Sequence, residues 1–509
     1  MRTVSDKSKA LMILGTASDV GKSVIAAGLC RIFYRSGIRV APFKAQNMSL
    51  NSFVTMEGGE MGRAQVLQAH ACGLAPNVDM NPILLKPEGD QRSQVVVHGS
   101  VFGSHEAGDY FDRKKELFPF VQASYERLAS RYELIVIEGA GSAAEMNLRD
   151  RDLVNWPVAE MADATALLVA DIDRGGVFAQ VIGTLDLLSR KERRRVLGVV
   201  INRFRGDVQL FADGVNFIES RTGLPVLGVV PFLRSLELDQ EDSLEIERYH
   251  HTCFTPRTVN IAVTLLPRMS NFTDFNVLAA ESDVALRYAA SPLDLGGADV
   301  VILPGSKNTI ADLDHLRQSG FFEALKEHVR QGGELVGICG GYQMLGREIS
   351  DPHGLEAGGR REGLNLLDVS TELLPQKRTV QVEASPLHLE AGPDCAVAGY
   401  EIHMGLTRLG HAMPSFRILR RVGEDGEATE DGATNGDGRV WGTYIHGVFD
   451  RPGFRRLWLN RVRERKGLQL LETAVSEKVT ARLLSALDRW ADHLKKHMDL
   501  ARIFAALGL

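Results

Sequence analysis

Residues 10–23 read ALMILGTASDVGKS: an aliphatic run closing on Gly15, a short loop, and Gly21-Lys22-Ser23 opening the amphipathic stretch VIAAGLCRIFYRSG (24–37). A buried strand, a glycine-containing loop and a helix that begins at Gly-Lys-Ser aim backbone N–H groups and the positive end of a helix dipole at one point, where phosphate oxygens are held. In such a loop Lys22 reaches the β- and γ-phosphates and the Ser23 hydroxyl reaches Mg²⁺. The spacing departs from GxxxxGK[ST] at one place, since Thr16 occupies the first glycine position and Gly15 comes one residue earlier. Gly15, Thr16, Ser18, Asp19, Val20, Gly21, Lys22 and Ser23 form the expected nucleotide-binding set, with ATP and Mg²⁺ as the expected cofactors.

Outward from this loop, aliphatic runs alternate with longer amphipathic stretches: IRVAPFK (38–44), ELIVIEG (133–139), TALLVADI (165–172), VLGVVIN (196–202) and VLGVVPF (226–232). Continuous apolar runs of this length suit strands covered on both faces, so residues 1–240 are expected to form a parallel-sheet domain with ligands at the strands' carboxyl ends. Residues 241–257 are polar and lack a core period, and are read as a linker. A second α/β block follows over 258–455, and 456–509 carries helical spacing of apolar residues, read as a closing helical cap. EDGEATEDGATNGDG (424–438) is Gly-rich and acidic and is expected to be an exposed loop.

The 509 residues, 44% hydrophobic and 24% charged, have the composition of a globular protein with ample core. The formal charge, 59 − 65 = −6, provides no global positive field for nucleic acid or an anionic membrane. No apolar run approaches the ~20 residues of a membrane span. The five cysteines are few, odd in number and without CxxC spacing, which excludes a disulfide framework or zinc ribbon. A cytoplasmic protein without leader or membrane segment is expected.

In GELVGICGGYQML (333–345), Cys339 stands between Gly337 and Gly341 at a strand-to-helix turn. Glycines permit the tight turn of a nucleophile elbow, the thiol projects into a cleft, and the next N–H can stabilise an oxyanion.

Two resemblances follow. The GTxxxxGKS loop is similar to that of dethiobiotin synthetase and the ParA/MinD ATPases. That resemblance implies that Lys44, after the second strand, faces the γ-phosphate, and that Glu138, closing IVIEG, is an acidic Mg²⁺ ligand; Glu60 in GGEMGRAQ is a weaker second metal candidate. The cysteine elbow resembles class I glutamine amidotransferases, with His446 of GTYIHGVFD as base to Cys339, Gly305 of LPGSKN and Gly340 at the oxyanion hole, and Gln343 near the glutamine pocket. Most such enzymes carry a carboxylate two residues after the histidine, whereas Val448 stands here, so the orienting carboxylate is missing or comes from elsewhere.

Taken together, FKAQNMSLNS (43–52), VIEGAGSAAEMNLRDRDLVN (136–155), VADIDRGGVFAQVIGTL (169–185), INRFRGD (201–207), SNFTDFNVL (270–278), GYEIHMG (399–405) and GTYIHGVFD (442–450) resemble the glutamine-hydrolysing cobyric acid synthases over nearly the whole chain. The resemblance implies ATP-dependent amidation of the b, d, e and g carboxylates of adenosylcobyrinic acid a,c-diamide, with ammonia from L-glutamine. Asn147, Arg149, Asp150, Asp152, Asn155 and Asp173, at the sheet's carboxyl edge, are the candidate contacts to that corrinoid. His403 of GYEIHMG reads as structural rather than as a cobalt ligand. Cobyrinic acid a,c-diamide synthase shares both domains, and a ParA/MinD-like ATPase with an inactive amidotransferase module is the alternative of another class. The acidic charge and the intact Cys339/His446 pair weigh against the latter. The oligomeric state is left open, a homodimer included.

Overall fold

The computed structural model describes residues 8–89, 92–106, 108, 113–233, 236, 252–389, 392–424, 428–472 and 479–509. Most of the expected linker, 241–251, lies outside the described residues, as do 425–427 of the acidic segment.

The first sheet has six strands, all parallel. Their spatial order is Val226–Pro231, Val196–Phe204, Thr165–Asp171, Lys9–Gly15, Leu134–Glu138, Val40–Phe43. These are the six apolar runs, and they are buried because helices cover both faces. The chain reverses direction across the sheet beside Lys9–Gly15, which opens a crevice at the carboxyl ends of the strands ending in Gly15 and Glu138. An annex, less apparent in the sequence, follows Val40–Phe43: a sheet of Gln46–Met48, Ile83–Pro87, Arg92–Val97 and Ser100–Glu106, and a hairpin of Ser52–Val54 with Glu60–Gly62.

The second sheet runs in the order Val284–Ala289, Val259–Thr264, Val300–Leu303, Glu334–Ile338, Val440–Thr443, Ala433–Thr434, parallel except for the last pair. Beside it the long antiparallel strands Val369–Pro386 and Val397–Leu409 form a further sheet, and Ile445–His446 pairs with the latter through Tyr400↔His446. The acidic segment is not wholly an exposed loop. Thr429–Asp431 and Ala433–Thr434 are strands, and Asp431 is buried, accepting from the Thr443 hydroxyl and from the Tyr444 N–H at 3.2 Å. Burial and the nearby Glu401 push the Asp431 carboxyl up to about 7.

The C-terminal helices divide between the two sheets instead of forming a common cap. Pro452–Arg465 packs Phe454, Trp458 and Leu459 into the second core. Val479–His497 returns to the first core and lies along Lys22–Arg35, where Trp490 Nε1 donates to Val24 O at 2.7 Å and Arg31 grips Asp488 at 2.8 and 2.9 Å. Among the described residues no helix is long and apolar enough to cross a membrane.

Candidate active sites

The nucleotide loop closes on Gly21, whose φ of 93° lies in the left-handed region and whose missing Cβ leaves room for the amide of Asn202. Asn202 Nδ2 donates to Val20 O at 2.9 Å and so pins the loop to the strand Val196–Phe204, two places away in the sheet. Lys22 Nζ donates to Ala17 O and to Gly141 O, both at 2.9 Å, and thus joins this loop to the one after Glu138. Ser18, Asp19, Gly21, Lys22, Ser23, Lys44, Asn47, Glu138 and Arg203 share a cavity of about 390 Å³. Gly15 and Thr16 stand outside that lining: the Thr16 N–H is spent on Val169 O and its hydroxyl on Gln180, so they carry the loop rather than face a ligand. The Val20 side chain is likewise core, which leaves only its backbone to the loop. Arg203, which the motifs did not single out, is held by Asp171 at 3.0 Å.

Glu138 gathers the strand ends. Its Oε1 accepts from Ser23 Oγ and Lys44 Nζ, each at 2.7 Å, and its Oε2 from Gln68 Nε2 at 2.5 Å. Burial opposes its charge, but Lys44, Ser23 and Gln68 outweigh that and hold the carboxyl below its ordinary range. A hydroxyl and a carboxylate oxygen in contact beside a phosphate loop fit a hard divalent cation, which takes oxygen donors and shares them with substrate phosphates. Among the described residues no three His, Cys, Asp or Glu side chains form a protein-only metal cage.

Glu60, the weaker metal candidate, stands apart from the Mg²⁺ position. It is buried between Lys86, at 2.6 Å, and Lys377 of the second domain, and it does not line the nucleotide cavity. Burial works against its charge, yet the two lysines hold it far below the usual carboxylate range, so it serves as an interdomain ion-pair partner.

The loop after Glu138 lines a second cavity of about 200 Å³, which shares Gln46, Ala140 and Gly141 with the first. Of the candidate corrinoid contacts, Arg149, Asp152 and Asn155 line it. Much of their bonding is internal. Asp152 accepts from the N–H groups of Val154, Asn155 and Trp156, Asn155 bridges Ala140 N and O, and Arg149 is paired with Glu192. Asn147 and Asp150 are in the same 3₁₀ turn, Met146–Arg151, but outside the lining. Asp173 is bound to Arg205 at 2.6 Å. Asp152 and Asn155 therefore shape the loop, a role that their residue types could not separate from ligand binding.

In the second domain Cys339 takes φ 52° and ψ −108°, a strained conformation at the end of Glu334–Ile338 and the start of Gly340–Leu345. The turn needs its glycines, because a Cβ on Gly341 would lie 2.0 Å from Leu303 O and one on Gly340 would lie 2.9 Å from Ser306 N. The latter contact brings the Gly305–Ser306 strand against the elbow. Gln343 donates to the Tyr444 hydroxyl at 3.1 Å, and that hydroxyl is bound to Thr407 at 2.6 Å. His403 stacks on Tyr444 with ring centroids 3.7 Å apart, and burial pushes it down to about 4, which makes it a neutral structural group.

His446 is fully buried, and its Nδ1 lies 2.6 Å from Asp274 Oδ2. Asp274 Oδ1 also accepts from the Gly447 N–H at 3.1 Å, so both carboxylate oxygens fix the histidine segment. Asp274 is thus the orienting carboxylate missing from position 448. Burial pulls the imidazole pKa down, but the Asp274 charge and hydrogen bond, together with nearby Cys339, raise it to about 10. Cys339 Sγ donates to Ile402 O at 3.7 Å, and His446 Nε2 is buried with no hydrogen-bond partner among the described residues, so the three groups lie together as in nucleophilic acyl transfer with the His–Asp contact made. Asp274 lies in SNFTDFNVL, and no fixed sequence spacing connects it with His446.

Comparison with known proteins agrees with this division. Residues 11–245 match the CobQ/CobB/MinD/ParA nucleotide binding domain, and residues 260–454 match the CobB/CobQ-like glutamine amidotransferase domain. The chain is 49% identical to the cobyric acid synthase of Syntrophobacter fumaroxidans, over 99% of each chain. It is 50% identical to the cobyric acid synthase of Klebsiella pneumoniae strain 342, over 98% of each. A solved glutamine amidotransferase overlaps 41% of this chain and 99% of its own at 17% identity, with a TM-score of 0.30, too loose an overlap to bear on the fold. Two domain matches in this order, and nearly half of all positions identical from end to end, lead to one statement: the chain belongs to the cobyric acid synthase family.

Proposed function

We propose that this enzyme amidates the b, d, e and g carboxylates of adenosylcobyrinic acid a,c-diamide, using ATP to activate each carboxylate and glutamine as the ammonia source. The observation that carries the reading is the Cys339–His446–Asp274 constellation in one chain with a phosphate loop built around Glu138.

At the glutamine site, Cys339 attacks the side-chain amide carbon while the N–H groups of Gly340 and Gly305 stabilise the oxyanion. His446 carries the proton, held at Nδ1 by Asp274, and delivers it to the departing ammonia; water then releases glutamate from the thioester. The Asp274 contact keeps the imidazole oriented and favours its charged form through both steps. Gln343 and Tyr444 shape the pocket wall.

A carboxylate does not yield to ammonia directly, since oxide is a poor leaving group. Phosphorylation must come first, and the loop must hold the γ-phosphoryl in line with the attacking carboxylate. The backbone of residues 18–23 cradles the phosphates, Lys22 and Lys44 supply positive charge at the transferring group, and Arg149 is the candidate cation for a substrate carboxylate. Ser23 and Glu138 would hold Mg²⁺, which when bound neutralises phosphate charge. Ammonia then displaces phosphate from the acyl phosphate, giving amide, ADP and phosphate. The reading further assigns the synthetase to residues 1–240 and the glutaminase to 258–455, in a cytoplasmic enzyme.

Mass spectrometry of a cobyrinic acid a,c-diamide incubated with the enzyme, glutamine and Mg·ATP tests this. Stepwise acid-to-amide mass changes ending at four new amides are the expected result. An unchanged corrinoid with intact glutaminase activity would reject the substrate assignment.

A further inference from the structure

The segment from residue 46 to 54 touches both sites. Gln46, Asn47 and Met48 line the nucleotide cavity. Further along, the Ser52 peptide is clasped from both sides by the second domain: its N–H donates to Asn271 Oδ1 at 3.0 Å, and its carbonyl accepts from the Tyr400 hydroxyl at 3.0 Å. Ser52, Asn271 and Tyr400 are all buried, so these are polar contacts made in a dry interface, where an unmade hydrogen bond is costly.

Both clasping residues lead to His446. Asn271 takes φ 54° and caps the turn Phe272–Phe275, its own carbonyl accepting the Asp274 N–H at 3.1 Å. Asp274 in that turn grips His446 and Gly447. Tyr400 stacks on the imidazole, with centroids 5.4 Å apart and planes 20° from parallel. One peptide of the nucleotide domain therefore fixes the carboxylate partner and the ring neighbour of the histidine.

We propose that Asn271 is a positioning residue for glutamine hydrolysis: it holds the Asp274–His446 pair in place against the Ser52 peptide of the nucleotide domain, so the glutaminase site is complete only when the two domains are docked. The proposal deepens the reading above and rests on its assignment of Cys339 and His446 to glutamine hydrolysis.

The test uses the full chain carrying Asn271→Gly. Glycine keeps the left-handed backbone free of strain and removes the whole side chain, the Oδ1 acceptor with it, so Tyr400→Phe is the variant that isolates a single hydrogen bond. Two quantities are measured: kcat and KM for glutamine hydrolysis, and the ratio of glutamine-supported to ammonium-supported amidation. A displacement of a catalytic group by a fraction of an ångström to an ångström costs roughly 10- to 100-fold, so kcat falls by about that much, KM for glutamine changes less than about twofold, and the ratio falls with kcat. Tyr400→Phe keeps the stacked ring and removes only the second hydrogen bond; it lowers the ratio in the same direction, by less, and serves if the glycine variant does not fold. An unchanged kcat, or a proportional loss of both activities that leaves the ratio unaltered, overturns the proposal. Cys339→Ala separates the two levels: if glutamine hydrolysis survives that change, the assignment of the site fails, and not the role of Asn271 alone.

Discussion

The pairing of Asp274 with His446 is where a single side chain has the clearest consequence. Asp274→Asn would leave the packing nearly unchanged but remove the charge that orients the imidazole and supports its protonated form. A lost triad carboxylate costs up to ~10⁴-fold in kcat, so a fall of at least about 10²-fold in glutamine hydrolysis is expected, with ammonium-supported amidation retained. Steady-state kinetics with each nitrogen source checks it. The same contact links folding to pH. Because the folded-state pKa of His446 is raised from 6.5 to about 10, its stabilising contribution is fully present below about pH 6.5 and is lost as pH rises towards 10. The difference in denaturant midpoint between the wild type and His446→Gln should therefore shrink over that interval. Cys339 and His446 were legible because flanking glycines and a strand end mark them. Asp274 was not, since a carboxylate that arrives from another turn leaves no spacing to read. Glu60 shows the reverse: an acidic residue near a phosphate motif in sequence, yet committed in space to two lysines.

Among the elements, Val479–His497 shows how far packing exceeds what a pattern reveals. Its apolar period announces a helix but not its partner, which lies more than four hundred residues earlier in the chain. The fit is close: a Cβ on Gly28 would come within 2.4 Å of Leu494 and 2.7 Å of Trp490. Trp490→Ala removes the ring that fills this contact, and the loss of a buried tryptophan costs about 3–5 kcal/mol. Chemical denaturation followed by circular dichroism should show that decrease, with the first domain most affected. The six parallel strands, in contrast, were legible nearly to their ends, because a strand covered on both faces is apolar at every position. Gln46–Met48 and the hairpin Ser52–Val54/Glu60–Gly62 have three residues to a strand, too few to show a period.

At the scale of the whole molecule, the domains meet through buried polar groups as well as apolar ones. Glu60 lies between Lys86 and Lys377, and burial pulls Lys377 down to about 8 even with Glu60 beside it. Glu60→Gln would leave two buried ammonium groups without their counter-charge, a change that costs about 3–5 kcal/mol when one partner of a buried ion pair is removed. Lowered thermal stability should be accompanied by weaker coupling of glutamine hydrolysis to amidation, measured as glutamate released per amide formed. The central claim is that one chain holds two separable chemistries, ammonia release at Cys339 and carboxylate activation at Lys22. The most direct measurement follows glutamate, ADP and amide together in Cys339→Ala and Lys22→Ala, with glutamine and then with ammonium salt. The account predicts that Cys339→Ala forms amide and ADP from ammonium alone and releases no glutamate, while Lys22→Ala forms no amide from either source. Amide formation from glutamine by Cys339→Ala, or from ammonium by Lys22→Ala, would contradict it.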